Sequence, residues 1–132
     1  MHIVILITAK DVKEASRIAD QLVEKKLVAC VNIVKDIKSI FWWEGKVDRS
    51  NEVLLIIKSE KTFFKKIIKA VKSLHSYTVT EIIALQIVDG NPDYLKWILR
   101  GDFADEIKEL AGDALRGQFP VFGAGKDGSS EI

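Results

Sequence analysis

The order in which short β-branched runs and amphipathic stretches alternate along this chain predicts an α+β fold, a ferredoxin-like split βαβ sandwich with a long projecting β-hairpin. Three observations carry that prediction. The elements follow one another as β-α-β-β-α-β. Right-handed crossovers then put both helices on one face of a four-stranded antiparallel sheet. One strand is also far longer than the sheet needs.

The elements follow in order. Residues 2–8 are a β-branched apolar run without alternation, the pattern of a central strand paired on both edges and largely covered. Asp11 followed three residues later by Glu14 reads as a capping box. Behind it Val12, Ala15, Ile18, Ala19, Leu22 and Val23 recur at helical spacing, and the helix is expected to end on Lys25 and Lys26, cations at the negative end of its dipole. Leu27 to Trp43, rich in Val, Ile and aromatics, reads as one long strand. Glu44-Gly45-Lys46 is a turn, and Val53 to Ile57 a third, apolar strand. Phe63, Phe64, Ile67, Ile68, Val71 and Leu74 share one face of a second helix. Ile82 to Val88 is a fourth strand. Asn91-Pro92-Asp93 supplies an N-cap, a proline at the first helical position and an acid in the first turn, so a third helix starts there.

Strand length is the first functional clue. About 17 residues at roughly 3.3 Å each span about 55 Å, against roughly 23 Å for the first strand. The second strand must project beyond the sheet and take the start of the third with it. The projecting part carries Ile37, Ile40, Phe41, Trp42 and Trp43. A lone two-stranded ribbon with exposed edges is marginal in water, and another copy of the chain is the simplest cover. Trp42 and Trp43 point to opposite faces, one into the assembly and the other towards a cleft.

Composition narrows the function classes. The chain has 132 residues, 48% of them apolar, with 20 Lys and Arg against 19 Asp and Glu. A chain of that length buries about two-thirds of its unfolded surface without disulfides or metals. The near balance of charge speaks against nucleic-acid binding, which calls for a basic footprint. One cysteine excludes an internal disulfide framework and fits a reducing, cytoplasmic compartment. The apolar run at Ile3–Ile7 is too short for a membrane span.

Five stretches in order resemble the CutA divalent-cation tolerance family: Lys26-Leu27-Val28-Ala29-Cys30-Val31-Asn32, Phe41-Trp42-Trp43-Glu44-Gly45-Lys46, residues 52–58, His75 to Ile82, and Asp93 to Ile98. The resemblance covers about residues 3–99. It implies the ferredoxin-like architecture and a homotrimer with its hairpins packed round a three-fold axis. It also implies a link to tolerance of copper or another divalent cation. The family usually has proline at the positions of Ser76 and Thr80. Their replacement here frees φ and restores two backbone donors, so a looser loop is expected. Copper-binding bacterial members share a cysteine in strand one and two adjacent histidines before the tyrosine. The matching positions here are Ile7, Leu74 and His75.

The candidate residues follow from motif and chemistry together. Cys30, Trp43, Tyr77 and Glu81 are expected to line an inter-subunit ligand cleft, with His75 as the metal ligand, copper or another divalent cation being the candidate cofactor. Cys30 in an apolar strand also reads as a buried, inert thiol, and His75 also reads as a cation at a helix C-terminus. No Cys-x-x-Cys or His-x-x-x-His spacing occurs, so a preorganised zinc site within one subunit is not expected. Gly123 to Asp127 fails as a phosphate loop, because Pro120 stands where its first glycine belongs and Asp127 where Ser or Thr belongs.

The expectation is therefore a cytoplasmic homotrimer binding a small ligand or metal ion, with no chemical step, no nucleic acid and no membrane among its partners. An enzyme using His75, Tyr77, Glu81 and Cys30 is the first alternative. An RNA-binding ferredoxin-like module is the second, and it calls for stacking aromatics on the central strands, which here are aliphatic. Two units are expected: a domain over residues 1–100 and a C-terminal extension over 101–132, a helix and then a flexible tail. In the extension, residues 101–115 carry five acids against Lys108 and an apolar stripe from Phe103 to Ala114. The second helix is the opposite, with Lys61, Lys65, Lys66, Lys69 and Lys72. Docking of the extension, apolar face inwards, on its own or a neighbouring subunit is expected.

Overall fold

The computed structural model describes residues 1–102; the stretch from Phe103 onwards, where the acidic amphipathic segment and glycine-rich tail are expected, lies outside the described residues. The order is β1 (His2–Ala9), α1 (Val12–Glu24), β2 (Cys30–Trp43), β3 (Lys46–Glu60), a 3₁₀ turn over Lys61–Phe63, α2 (Phe64–Leu74), β4 (Ile82–Gln86) and α3 (Pro92–Asp102). The sheet order is β2-β3-β1-β4, with every neighbouring pair antiparallel. This is the ferredoxin-like arrangement that the element order predicts.

Alternation in the central strands decides what is buried. Ile3, Ile5, Ile7 and Ala9 of β1 and Val53, Leu55 and Ile57 of β3 face the helices and are buried. From α1, Ala15, Ile18, Ala19 and Leu22 meet them, and from α2, Ile67 and Val71. Val12 and Val23 stand outside this stripe, 41% and 46% exposed, so the buried face of α1 is narrower than helical spacing alone suggests. All five lysines of the second helix region are exposed. The helix α1 stops at Glu24, with Lys25 as its C-cap and Lys26 in the left-handed region at φ 58°. The other face of the sheet carries the opposite set of side chains, and α3 crosses it with Ile98 fully buried. Among the described residues no helix is long and apolar enough to cross a membrane.

The hairpin projects as predicted, with different bounds. The strand β2 has 14 residues and begins at Cys30, and β3 has 15 and begins at Lys46, seven residues before the apolar run that reveals it. Only Val53–Glu60 of β3 pairs with β1, so residues 46–52 pair with β2 alone. Glu44 and Gly45 both have positive φ (50° and 78°), the two-residue type I′ connection that matches strand twist. Between Val34 and Ile37 the register shifts by one residue, with Asp36 at φ 62°. This bulge inverts the alternation of β2. Beyond it Ile37, Ser39, Phe41 and Trp43 lie opposite Glu52, Ser50, Asp48 and Lys46, and so share one ribbon face with them.

Candidate functional site

A cleft of about 820 Å³ opens where that face of the hairpin leaves the sheet and meets the loop between α2 and β4. The hairpin contributes Ser39, Phe41, Trp43, Asp48 and Glu52 from one face and Lys38 and Ile40 from the other, and Thr8 comes from the end of β1. The loop contributes Ser76, Tyr77, Thr78, Val79 and Glu81. Trp43 is about half exposed, and Trp42, on the opposite ribbon face, is 73% exposed.

The loop is held from behind by a buried pair. Asp11 accepts from the Glu14 N–H at 2.8 Å, the first half of the capping box. The Glu14 side chain does not complete the box on Asp11. Its Oε1 accepts from the Lys10 N–H at 3.3 Å and its Oε2 from the Ser76 N–H at 3.2 Å. Burial works to raise the Glu14 pKa. The Ser76 hydroxyl, the Lys10 N–H, the adjacent His75 and the Ser76 N–H together outweigh it and hold the carboxyl below its ordinary value. The His75 side chain is wholly buried beside it, with Nδ1 3.6 Å from Glu14 Oε1. His75 Nδ1 accepts the Tyr77 N–H at 3.0 Å, and Nε2 lies 2.6 Å from the Thr8 carbonyl oxygen, the pattern in which Nε2 carries the proton. The two rings pack with centroids 4.6 Å apart. Tyr77 then donates its hydroxyl proton to Glu52 Oε2 at 2.8 Å. Burial foremost, then Glu52, drives the Tyr77 pKa far up, so the phenol stays a donor.

At the two positions where the resemblance implies proline, the loop forms hydrogen bonds of its own. Ser76 spends its restored N–H on Glu14, a bond proline cannot make, and Thr80 Oγ1 donates to the Tyr77 carbonyl at 3.4 Å.

The structure brings together Trp43, Tyr77 and Glu81 from the expected set and separates the rest. Cys30 is half-buried at the start of β2, opposite Lys58, with Sγ 3.9 Å from Asn32 Oδ1. Burial and then this cysteine raise the pKa of Tyr94 on α3. Six residues of β3 separate Lys58 from Glu52, about 20 Å along the strand, so Cys30 does not line the cleft of its own chain. Expected as a metal ligand, His75 has both ring nitrogens committed to backbone groups and supports the cleft from beneath instead. Among the described residues no three His, Cys, Asp or Glu side chains come together to hold a metal ion. The cleft offers carboxylate and hydroxyl oxygens, hard donors poorly matched to copper, so the described residues of one chain do not fit a resident copper ion. Glu52 and Glu14 are the site residues that sequence reasoning misses. The capping-box spacing marks Glu14 only as a cap, and Glu52 sits at the polar border of an apolar strand.

Three comparisons place the chain among known proteins. The CutA1 divalent ion tolerance protein family matches residues 3–100. A divalent-cation tolerance protein CutA from Archaeoglobus fulgidus is 48% identical over 98 residues, covering 74% of this chain and 95% of that protein. A solved structure of the Archaeoglobus fulgidus protein, described as a periplasmic divalent cation tolerance protein, superposes with a TM-score of 0.75 at 46% identity, over 77% of this chain and 99% of that one. The Thermus thermophilus divalent cation tolerance protein superposes with a TM-score of 0.73 at 47% identity, over 74% and 95%. With the family match spanning residues 3–100 and close to half of the residues identical to a relative over nearly its whole length, this chain belongs to the CutA1 divalent ion tolerance protein family.

Proposed function

We propose that this chain works as a homotrimer that binds a small ligand or divalent cation in clefts at its subunit boundaries, and that it serves tolerance of divalent metal ions, copper foremost, without a chemical step. The observation that carries the reading is the meeting of Trp43, Tyr77 and Glu81 in one cleft at the root of a hairpin whose other face leaves large apolar side chains exposed among polar ones. On that other face Trp42 and Val47 are 73% and 49% exposed. A single subunit leaves this patch in water, and copies of the chain packed head to tail cover it and close as a ring. His75 serves the cleft by holding Tyr77. A metal ion in the assembly takes its ligands from more than one chain. The lone thiol fits a cytoplasmic setting.

Native mass spectrometry with and without copper tests this reading. A trimer that gains bound copper or releases a retained small ligand supports it, and a monomer at micromolar concentration overturns it.

A further inference from the structure

We propose that the cation this cleft selects is an organic polyammonium ion rather than a bare metal ion, an inference that rests on reading the cleft as a ligand site. Size is the first argument. A bare ion needs no more room than a water, about 30 Å³. The part of the cleft that one chain forms, at about 820 Å³, lies among organic-ligand sites, which run from about 300 to 1,000 Å³.

The placing of charge is the second argument. Asp48 and Glu52 lie on one face of β3, four residues and so about 13 Å apart along the strand, while Glu81 comes from the far wall. Chelation of one ion brings oxygens to about 2.0–2.6 Å of it, which the separation of Asp48 from Glu52 does not allow, and among the described residues no three carboxylate, His or Cys side chains gather to hold a metal ion. Separate ammonium groups on one alkyl chain meet separate carboxylates. Glu52 is held in place by the Tyr77 hydroxyl, and Glu81 has no hydrogen-bond partner among the described residues.

The walls are the third argument. Phe41 and Trp43 present partly exposed rings to the cleft. An ammonium over such a face is drawn to the negative centre of the ring, and the alkyl segments cover the remaining apolar surface. A hydrated divalent metal ion uses neither. The hydroxyls of Ser39 and Thr78 accept from N–H groups, and Lys38 repels ammonium from its own part of the cleft, which gives the ligand a direction.

The test is calorimetric titration of the full chain with spermidine, copper chloride and magnesium chloride. Glu81→Gln and Asp48→Asn alter exposed cleft carboxylates, and Glu24→Gln alters an exposed carboxylate away from the cleft. The proposal expects spermidine to bind, magnesium not to displace it, and each cleft variant to weaken binding about tenfold. Glu24→Gln leaves it unchanged. Spermidine binding that is absent, or equally affected by all three variants, overturns the proposal. Copper bound in a cleft where spermidine is silent overturns this inference and leaves the ligand-site reading standing. If neither cation binds, this inference falls together with the metal-ion half of that reading.

Discussion

Glu14→Gln is the sharpest probe of how the cleft is held, because it keeps the shape of a buried side chain and changes only its hydrogen-bond sense. The wild-type carboxylate accepts at both oxygens, from the Lys10 N–H and from the Ser76 N–H. A glutamine has one oxygen and one NH₂, so one of those N–H groups must face another donor. A donor left without its partner costs about 1–3 kcal/mol when water cannot replace it. Lys10 and Ser76 are both exposed residues, so water partly compensates and the lower half applies, about 1–2 kcal/mol at pH 7. The pH dependence follows from the sign of the shift. The folded carboxyl titrates below its ordinary 4.5, so its stabilisation is complete above that value and is lost as pH falls through the lowered one. A protonated glutamic acid, like glutamine, has one donor and one acceptor end. Wild type and variant therefore converge in acid. Urea denaturation at fixed protein concentration, at pH 7 and again at the lowest pH at which the chain stays folded, measures the gap. A gap that is the same at both pH values, or no gap at pH 7, refutes the account of Glu14 as the ionised anchor of the loop.

Three further predictions rest on the same geometry. Tyr77→Phe removes the hydroxyl that Glu52 accepts and costs about 1 kcal/mol, the discounted worth of a bond to a half-exposed charge. Because the folded phenol is raised above its ordinary 10, that advantage is full at neutral pH and shrinks as pH rises past 10, where the unfolded chain ionises first; urea titrations across that range report it. Gly45→Ala adds a Cβ with nothing within 4 Å of it, so its whole effect is the left-handed backbone at φ 78°, about 1–2 kcal/mol read as a lower urea midpoint. Trp42→Asp puts a charge on the uncovered hairpin face and converts the assembly to monomers or aggregates in size-exclusion chromatography, whereas Trp43→Leu, inside the cleft, leaves the elution volume unchanged.

Much of the fold is legible because burial writes a period into the chain. The unbroken Ile3–Ile7 run marks a strand with neighbours on both sides, and β1 pairs with β3 on one side and β4 on the other. Asn91 and Pro92 mark the start of α3, where Asn91 Oδ1 accepts from the Asp93 N–H at 3.1 Å. Residues 46–52 hide their strand because a ribbon with no third neighbour buries little and keeps polar side chains. The bulge at Lys35–Asp36 has no signal of its own, yet it sets which aromatics share a face with Glu52. Trp43, Tyr77 and Glu81 are legible through motif. The distance of Cys30 from them is not, since strand register carries it about 20 Å along the sheet. The role of His75 depends on Thr8 and Glu14, more than 60 residues away in sequence, which no local pattern records.

The central claim is that cations bind between the hairpin root and the loop that His75 and Glu14 hold. Nuclear magnetic resonance of the tryptophan indole N–H groups tests it most directly. Trp43 lines the cleft, Trp42 lies on the opposite ribbon face, and Trp97 lies on α3, stacked on Tyr94 with ring centroids 5.6 Å apart. Titration of the full chain with copper and, separately, with spermidine is predicted to shift or broaden the Trp43 indole signal first, with Trp97 unmoved. A first response at Trp97, or none at Trp43 with either cation, contradicts the account.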